Sequence, residues 1–288
     1  MSGVLEGTAV IVTGAAHGLG RAYALAAAEA GAGVIVGDLR AEGVHETVDL
    51  ISTAGGTAVG VVGDVVQPET AQSFVDTCLA TFGRLDGLVN NAGVIFPGSS
   101  LDLSARDVRL LVDVNVTGSI LCGVAAARAM RDAGTPGSIV NVSSGALQGL
   151  DDLALYGATK GATASLTYGW ALEWERYGIR CNAIAPLAHT AMSDQMNIPD
   201  EHKGPDPALI APALLHLLSA RSAPLTGQIL RFDGKRLGLV TPSHLTIVTE
   251  RPTWSPEDVA EALAGVLAPG VAPVGLMNSP RPQWVVSD

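Results

Sequence analysis

From Thr8 to Phe232 the chain alternates short apolar runs with longer alanine-rich or amphipathic stretches, and this alternation restricts the fold more than any other feature. The runs fall at 8–12, 33–37, 57–62, 86–90, 138–142, 180–185 and 228–232. Runs this short and apolar suit strands covered on both faces. The segments between them accommodate crossover helices at 21–30, 41–54, 68–82 and about 104–131, around Tyr156, and at 211–218. The rhythm predicts an α/β fold: one doubly wound parallel sheet of about seven strands, right-handed crossovers, and helices on both faces.

The first strand-to-helix junction reads Thr13-Gly14-Ala15-Ala16-His17-Gly18-Leu19-Gly20. A glycine-rich turn there lets backbone N–H groups and a helix N-terminus approach a pyrophosphate, which makes the sheet Rossmann-type. The spacing is G-x-x-x-G-x-G, not the common G-x-G-x-x-G. Gly14, His17, Gly18, Leu19 and Gly20 are therefore expected to line a dinucleotide. The second strand ends at Asp38, followed by Leu39. A carboxylate at this place accepts hydrogen bonds from the adenosine ribose and repels a 2′-phosphate, favouring NAD over NADP. Arg40 and His17 work against that preference, but His17 is expected to be neutral at pH 7.

Net charge bounds the partners. At −11 the chain lacks the basic footprint that nucleic acid requires, and it is a poor match for an anionic membrane. No uninterrupted apolar run reaches the roughly 18 residues of a spanning helix. Cys78, Cys122 and Cys181 form no C-x-x-C and read as reduced core residues. A cytoplasmic protein without a metal is the expectation.

Further along, Asp64-Val65 and Asn90-Asn91-Ala92-Gly93 follow the ends of two strands. Ser104-x-x-Asp107 reads as a capping box opening the long helix, and Asn115 lies inside that helix with Gly118 and Gly123 as signs of a kink or close packing. Ser143 ends another strand, thirteen residues before Tyr156. Tyr156 and Lys160 are four apart, so a helix sets a phenol beside an ammonium, an arrangement that favours the phenolate. The helix after Tyr156 is rich in small residues, which suits close approach by a second subunit.

Taken in order, these residues resemble the short-chain dehydrogenase/reductase family across about residues 5–234. The resemblance implies Tyr156 as general acid/base, Lys160 lowering its pKa and bonding the nicotinamide ribose, Ser143 bonding the substrate oxygen, and Asn115 holding a relay water. It also implies that Asp64 and Val65 flank the adenine. Asn91, Ala92, Gly93 and Pro186 would line the cleft, and Thr190 would bond the carboxamide. The implied function is NAD-dependent interconversion of a hydrophobic secondary alcohol and its ketone by a homotetramer or homodimer. A (3R)-hydroxyacyl-CoA substrate, an NADP-dependent ketoreductase and a catalytically silent NAD sensor are the alternatives.

Two departures stand out. The family's Pro-Gly after the sixth strand is Pro186-Leu187 here, which predicts a different path for the following loop. Its Asp-Gly-Gly is Asp233-Gly234-Lys235, and the chain runs on. Residues 1–234 are read as the catalytic domain. Residues 235–288 are read as an extension that packs on it or on a neighbouring subunit: a hairpin completed by Leu237–Val240, then a helix opened by Ser255-Pro256-Glu257-Asp258 and reaching about Leu267.

Overall fold

The strands do assemble into a single sheet. In the computed structural model, which describes residues 3–195, 203–241 and 252–262, eight strands lie in the order β3-β2-β1-β4-β5-β6-β7-β8. They are β1 (Ala9–Thr13), β2 (Gly33–Asp38), β3 (Thr57–Val62), β4 (Gly87–Asn90), β5 (Gly137–Val142), β6 (Ile179–Pro186), β7 (Ile229–Phe232) and β8 (Leu237–Leu239). The first seven are parallel. The eighth is antiparallel to β7: it is the hairpin strand expected at 237–240, and it extends the parallel sheet of seven. Asp233 makes the hairpin: its carboxylate accepts from the Lys235 and Arg236 backbone N–H groups at 3.0 and 2.6 Å. Those bonds hold its pKa down near 2.

Why the strands are apolar throughout is visible in β1. Val10 and Val12 enter one core; Ala9 and Ile11 enter the other. The first core lies under α1 (Gly18–Glu29), α2 (Ala41–Thr53) and α7 (Ala211–Leu218). The second lies under α3 (Pro68–Phe82), α5 (Ser119–Ala133) and α6 (Ala154–Trp174). The result is a three-layer α/β/α domain. Strand order reverses at β1, with β2 on one side and β4 on the other, and at such a switch point the loops at the strands' C-terminal ends diverge and leave a crevice.

The long helix predicted from Ser104 is present but interrupted. Ser104 and Asp107 form the capping box, each side chain accepting from the other's backbone N–H at 3.2 Å. Then α4 (Ala105–Val112) passes through a π-helical turn, Asp113–Gly118, into α5. The turn contains both Asn115 and Gly118. A Cβ on Gly118 would come within 2.7 Å of Val65, so close packing fixes a small residue there. By mean hydropathy, 1.7 over its best window, the helix 105–133 could span a bilayer, which counting uninterrupted runs did not show. Much of it is instead packed in the domain, 44% of that window being buried.

In the extension, Ser255 and Asp258 form a second capping box, and the backbone is helical over 256–262. The expected end of that helix near Leu267 lies outside the described residues.

Candidate active site

The glycine turn sits at the switch point. Gly18 has φ +55°, in the left-handed region that favours glycine, and a Cβ there would meet only the methyl carbon of Thr190 at 3.5 Å and its Cβ at 3.7 Å. Gly20 is fixed by contact, since a Cβ would lie 2.0 Å from the Gly14 carbonyl oxygen. His17 is the N-cap of α1 yet offers no side-chain cap, and the first turn carries no acidic residue. The leading N–H groups of α1 thus face the crevice without an acidic competitor, which suits a pyrophosphate. Burial and the nearby Arg40 lower the His17 pKa, so its ring is neutral at pH 7 as expected.

Asp38 is 8% exposed. One carboxylate oxygen accepts from Ala16 N–H at 3.0 Å and the other from Arg40 N–H at 3.0 Å, with Arg40 Nε 3.9 Å away. The residue therefore holds the glycine turn in shape as well as standing at the edge of the crevice. Leu39 beside it is 65% exposed. Asn91 donates through Nδ2 to the carbonyls of Thr13 and Gly14 at 3.0 Å each, and Ala92 N–H bonds Thr13 Oγ1 at 3.1 Å. These two residues brace the turn from behind. Asp64 accepts from Val66 N–H at 3.1 Å, and Val65 is buried in the second core. Together with Gly93, these features form a cradle whose donors and shape fit a dinucleotide.

The catalytic candidates converge where β4, β5 and α6 meet the π turn. Tyr156 and Lys160 lie one helical turn apart, with Lys160 Nζ 5.5 Å from the phenol ring centroid. Asn115 is 1% exposed; its Oδ1 accepts from Val94 N–H at 2.8 Å, and its Nδ2 donates to Val94 O and Thr159 Oγ1, both at 3.0 Å. Val94 follows Gly93, where a Cβ would lie 3.1 Å from Asn115 Oδ1 and 3.7 Å from Lys160 Nζ.

Two expectations change here. Ser143 is 2% exposed and its hydroxyl donates to the Lys160 carbonyl at 3.2 Å, which occupies the proton it was expected to offer a substrate. The adjacent Ser144, half-buried, accepts from Ala146 N–H at 3.2 Å through its hydroxyl, and its influence on Tyr156 favours the phenolate. Successive side chains leaving a strand point to opposite sides, so a shift of one residue exchanges the roles. The pKa direction also differs. Tyr156 is pushed up to about 12, because desolvation outweighs the influence of Ser144, and Lys160 is pushed down to about 8 by its own burial. The ammonium also donates to Val142 O at 2.8 Å, and its distance from the ring leaves burial dominant.

These shifts set a stability prediction. Lys160 titrates at about 8 when folded and at the ordinary 10.5 when unfolded. Between those values the unfolded chain binds more protons, so stability rises with pH; the contribution is complete above 10.5 and lost as pH falls through 8. Chemical denaturation across this window should show that rise in the wild type and lose it in Lys160→Met. Parallel curves for the two proteins would contradict the assignment.

Leu187, at the start of the loop after β6, does not adopt left-handed geometry. Among the described residues, Asp152 is the one non-glycine with positive φ, so Leu187 needs no glycine. Leu187 N–H instead bonds Phe232 O at 2.9 Å. Arg231, which the sequence did not single out, clamps the start of this loop: Nη1 donates to Ala185 O and Pro186 O at 3.0 Å each. Thr190 then turns the chain, its carbonyl accepting from Ser193 Oγ at 2.7 Å. Around Tyr156 the walls are apolar, built from Val94, Ile95, Phe96, Leu150, Leu153 and Met192.

Comparison with known proteins agrees with this geometry. Residues 8–201 match the family described as short chain dehydrogenase. The hydroxyacyl-CoA dehydrogenase ChsB1 of Mycobacterium tuberculosis is 33% identical over 92% of this chain and 90% of its own length. A crystal structure of a short chain dehydrogenase from Mycobacterium avium superposes with a TM-score of 0.84 at 33% identity, covering 92% of this chain and 96% of that one. Another, from Mycobacterium paratuberculosis and bound to NAD, gives 0.74 at 29% identity, covering 81% and 98%. The chain belongs to the short-chain dehydrogenase/reductase family, and it is an oxidoreductase.

Proposed function

We propose that the protein is an NAD-dependent dehydrogenase that interconverts an apolar secondary alcohol and its ketone. The observation that carries this reading is the placement of Tyr156, with Lys160 Nζ 5.5 Å from its ring centroid, beside a cradle fitted to a dinucleotide. A nicotinamide ring, when bound, supplies the acceptance or return of a hydride. The protein's part is the proton and the positioning. In the oxidative direction Tyr156 as phenolate takes the alcohol proton; in the reductive direction its phenol returns that proton to the carbonyl oxygen. Ser144 donates to the same oxygen and stabilises charge developing there. Lys160 is held beside the phenol, its amino group steered by Val142 O. Asn115 holds the Gly93–Val94 segment against both.

Asp38 supports NAD over NADP. A 2′-phosphate would meet a carboxylate with Arg40 Nε 3.9 Å away and a neutral His17 as the nearby basic groups. NADH should bind more tightly than NADPH in a fluorescence titration, and Asp38→Ala should narrow the gap. A wild type that prefers NADPH would refute this use of Asp38.

The apolar walls around Tyr156 favour a hydrophobic substrate such as a cyclic or steroidal alcohol. A second reading, a (3R)-hydroxyacyl-CoA, is favoured by the similarity to ChsB1, which extends over nearly the whole chain. Rates on a hydroxysteroid, a terpenol and a hydroxyacyl-CoA separate the two. We also infer a homo-oligomer: Leu110 and Val112 on α4 and Leu172 on α6, the last 80% exposed, leave apolar side chains for a second copy to cover. A single-chain mass in sedimentation would contradict that.

A further inference from the structure

We propose that Thr159 is a positioning residue that locks the geometry of Tyr156 and Lys160 by joining their helix to the π turn; this rests on the reading of Tyr156 as the general acid/base. Its hydroxyl has one proton to give, and it goes to the Tyr156 carbonyl at 2.7 Å. The same oxygen accepts one of the two Asn115 Nδ2 protons at 3.0 Å, while the other goes to Val94 O. Asn115 is thereby held in one orientation, with Oδ1 on Val94 N–H. Thr159 is 4% exposed and Asn115 1%, so solvent has little access to replace the bond.

The hydroxyl therefore ties three segments that meet at the chemistry: the helix bearing Tyr156 and Lys160, the π turn, and the Gly93–Val94 loop that borders Lys160 Nζ. Thr163 and Thr167, four and eight residues on, show what an ordinary threonine does on this helix. Each donates to the carbonyl four residues before it, at 3.1 and 2.9 Å. Thr167 also accepts from an asparagine, Asn141 Nδ2 at 3.0 Å; Thr159 differs in bonding the carbonyl three residues back, that of Tyr156, and in that its asparagine lies in the π turn. Without its hydroxyl, one buried Asn115 N–H loses its acceptor, the amide is free to turn, and the grip on Val94 loosens.

The test compares Thr159→Val, which keeps shape and removes the hydroxyl, with Thr159→Ser, which keeps the hydroxyl. The full-length protein is used in both arms. In the first arm, hydrogen exchange at Val94 is followed without any ligand. The valine variant should exchange there about tenfold faster, with protection in β5 unchanged, and serine should restore the wild-type rate. In the second arm, NAD-dependent oxidation of cyclohexanol and of 3-hydroxybutyryl-CoA is measured against pH. The valine variant should lose about tenfold in kcat, with little change in KM for NAD and an alkaline shift of the pH profile; serine should restore both.

Wild-type exchange at Val94 in the valine variant would overturn the proposal. So would a serine variant as impaired as valine. If the wild type oxidises neither probe, or Tyr156→Phe retains full rate, it is the acid/base reading that fails. The exchange arm still decides the role of Thr159.

Discussion

Tyr156→Phe is expected to lower turnover by about 10²–10⁴-fold, the usual worth of a positioned general acid/base, while leaving NADH affinity nearly unchanged. Phenylalanine preserves the ring that packs with Leu111, Ala146 and Leu153, so the wall of the site survives. What is lost is the one atom able to exchange a proton with the substrate oxygen. Because burial holds the phenol up at about 12, the residual rate of the variant should not show the alkaline rise in alcohol oxidation that the wild type shows as the phenolate forms. Kinetics with NAD across pH, alongside a calorimetric titration with NADH, check both statements. A variant that keeps its rate would remove Tyr156 from the mechanism.

The second large effect separates two neighbouring serines. Ser144→Ala should cost about 10²–10³-fold in kcat, as expected when one donor to a developing oxyanion is removed. Ser143→Ala should change turnover little, because its hydroxyl already serves the Lys160 carbonyl from a fully buried position. Its cost should fall on stability, about 1 kcal/mol for a lost buried hydrogen bond, read from denaturant midpoints. If the two results are exchanged, the orientation of this strand end is wrong and the serine thirteen residues before the tyrosine is the one that acts.

How much of this could be read beforehand depends on whether a property is local. The inner parallel strands were legible because a strand buried on both faces has to be apolar throughout, as in Val10-Ile11-Val12; β3, at the sheet edge, is half-exposed and apolar all the same. The capping box at Ser104 and Asp107 and the hairpin at Asp233-Gly234 were legible because their hydrogen bonds span three or four residues. The Tyr156–Lys160 pairing follows from helical spacing alone.

Other features depend on distant contacts. Ser143 and Ser144 are equivalent in sequence, and only the packing of β5 against α6 and the Lys160 carbonyl tells them apart. Sequence suggested that Lys160 would lower the tyrosine pKa; the direction reversed because burial of both groups outweighs their attraction. The π turn was foreshadowed by Asn115 and Gly118, but the residues it packs against, Val65 and Val94, lie in the loops after β3 and β4, far away in the chain. Arg231 gave no signal, since its role is to hold carbonyls on a neighbouring strand.

The role of Tyr156 is decided by NADH formation, followed by its near-ultraviolet absorbance, with wild type and Tyr156→Phe side by side. The panel contains a hydroxysteroid, a terpenol and a hydroxyacyl-CoA, each run with NAD and with NADP. The account predicts turnover of at least one secondary alcohol by the wild type, faster with NAD, and its loss in the variant. Equal rates for the two proteins, or turnover with NADP alone, would contradict it.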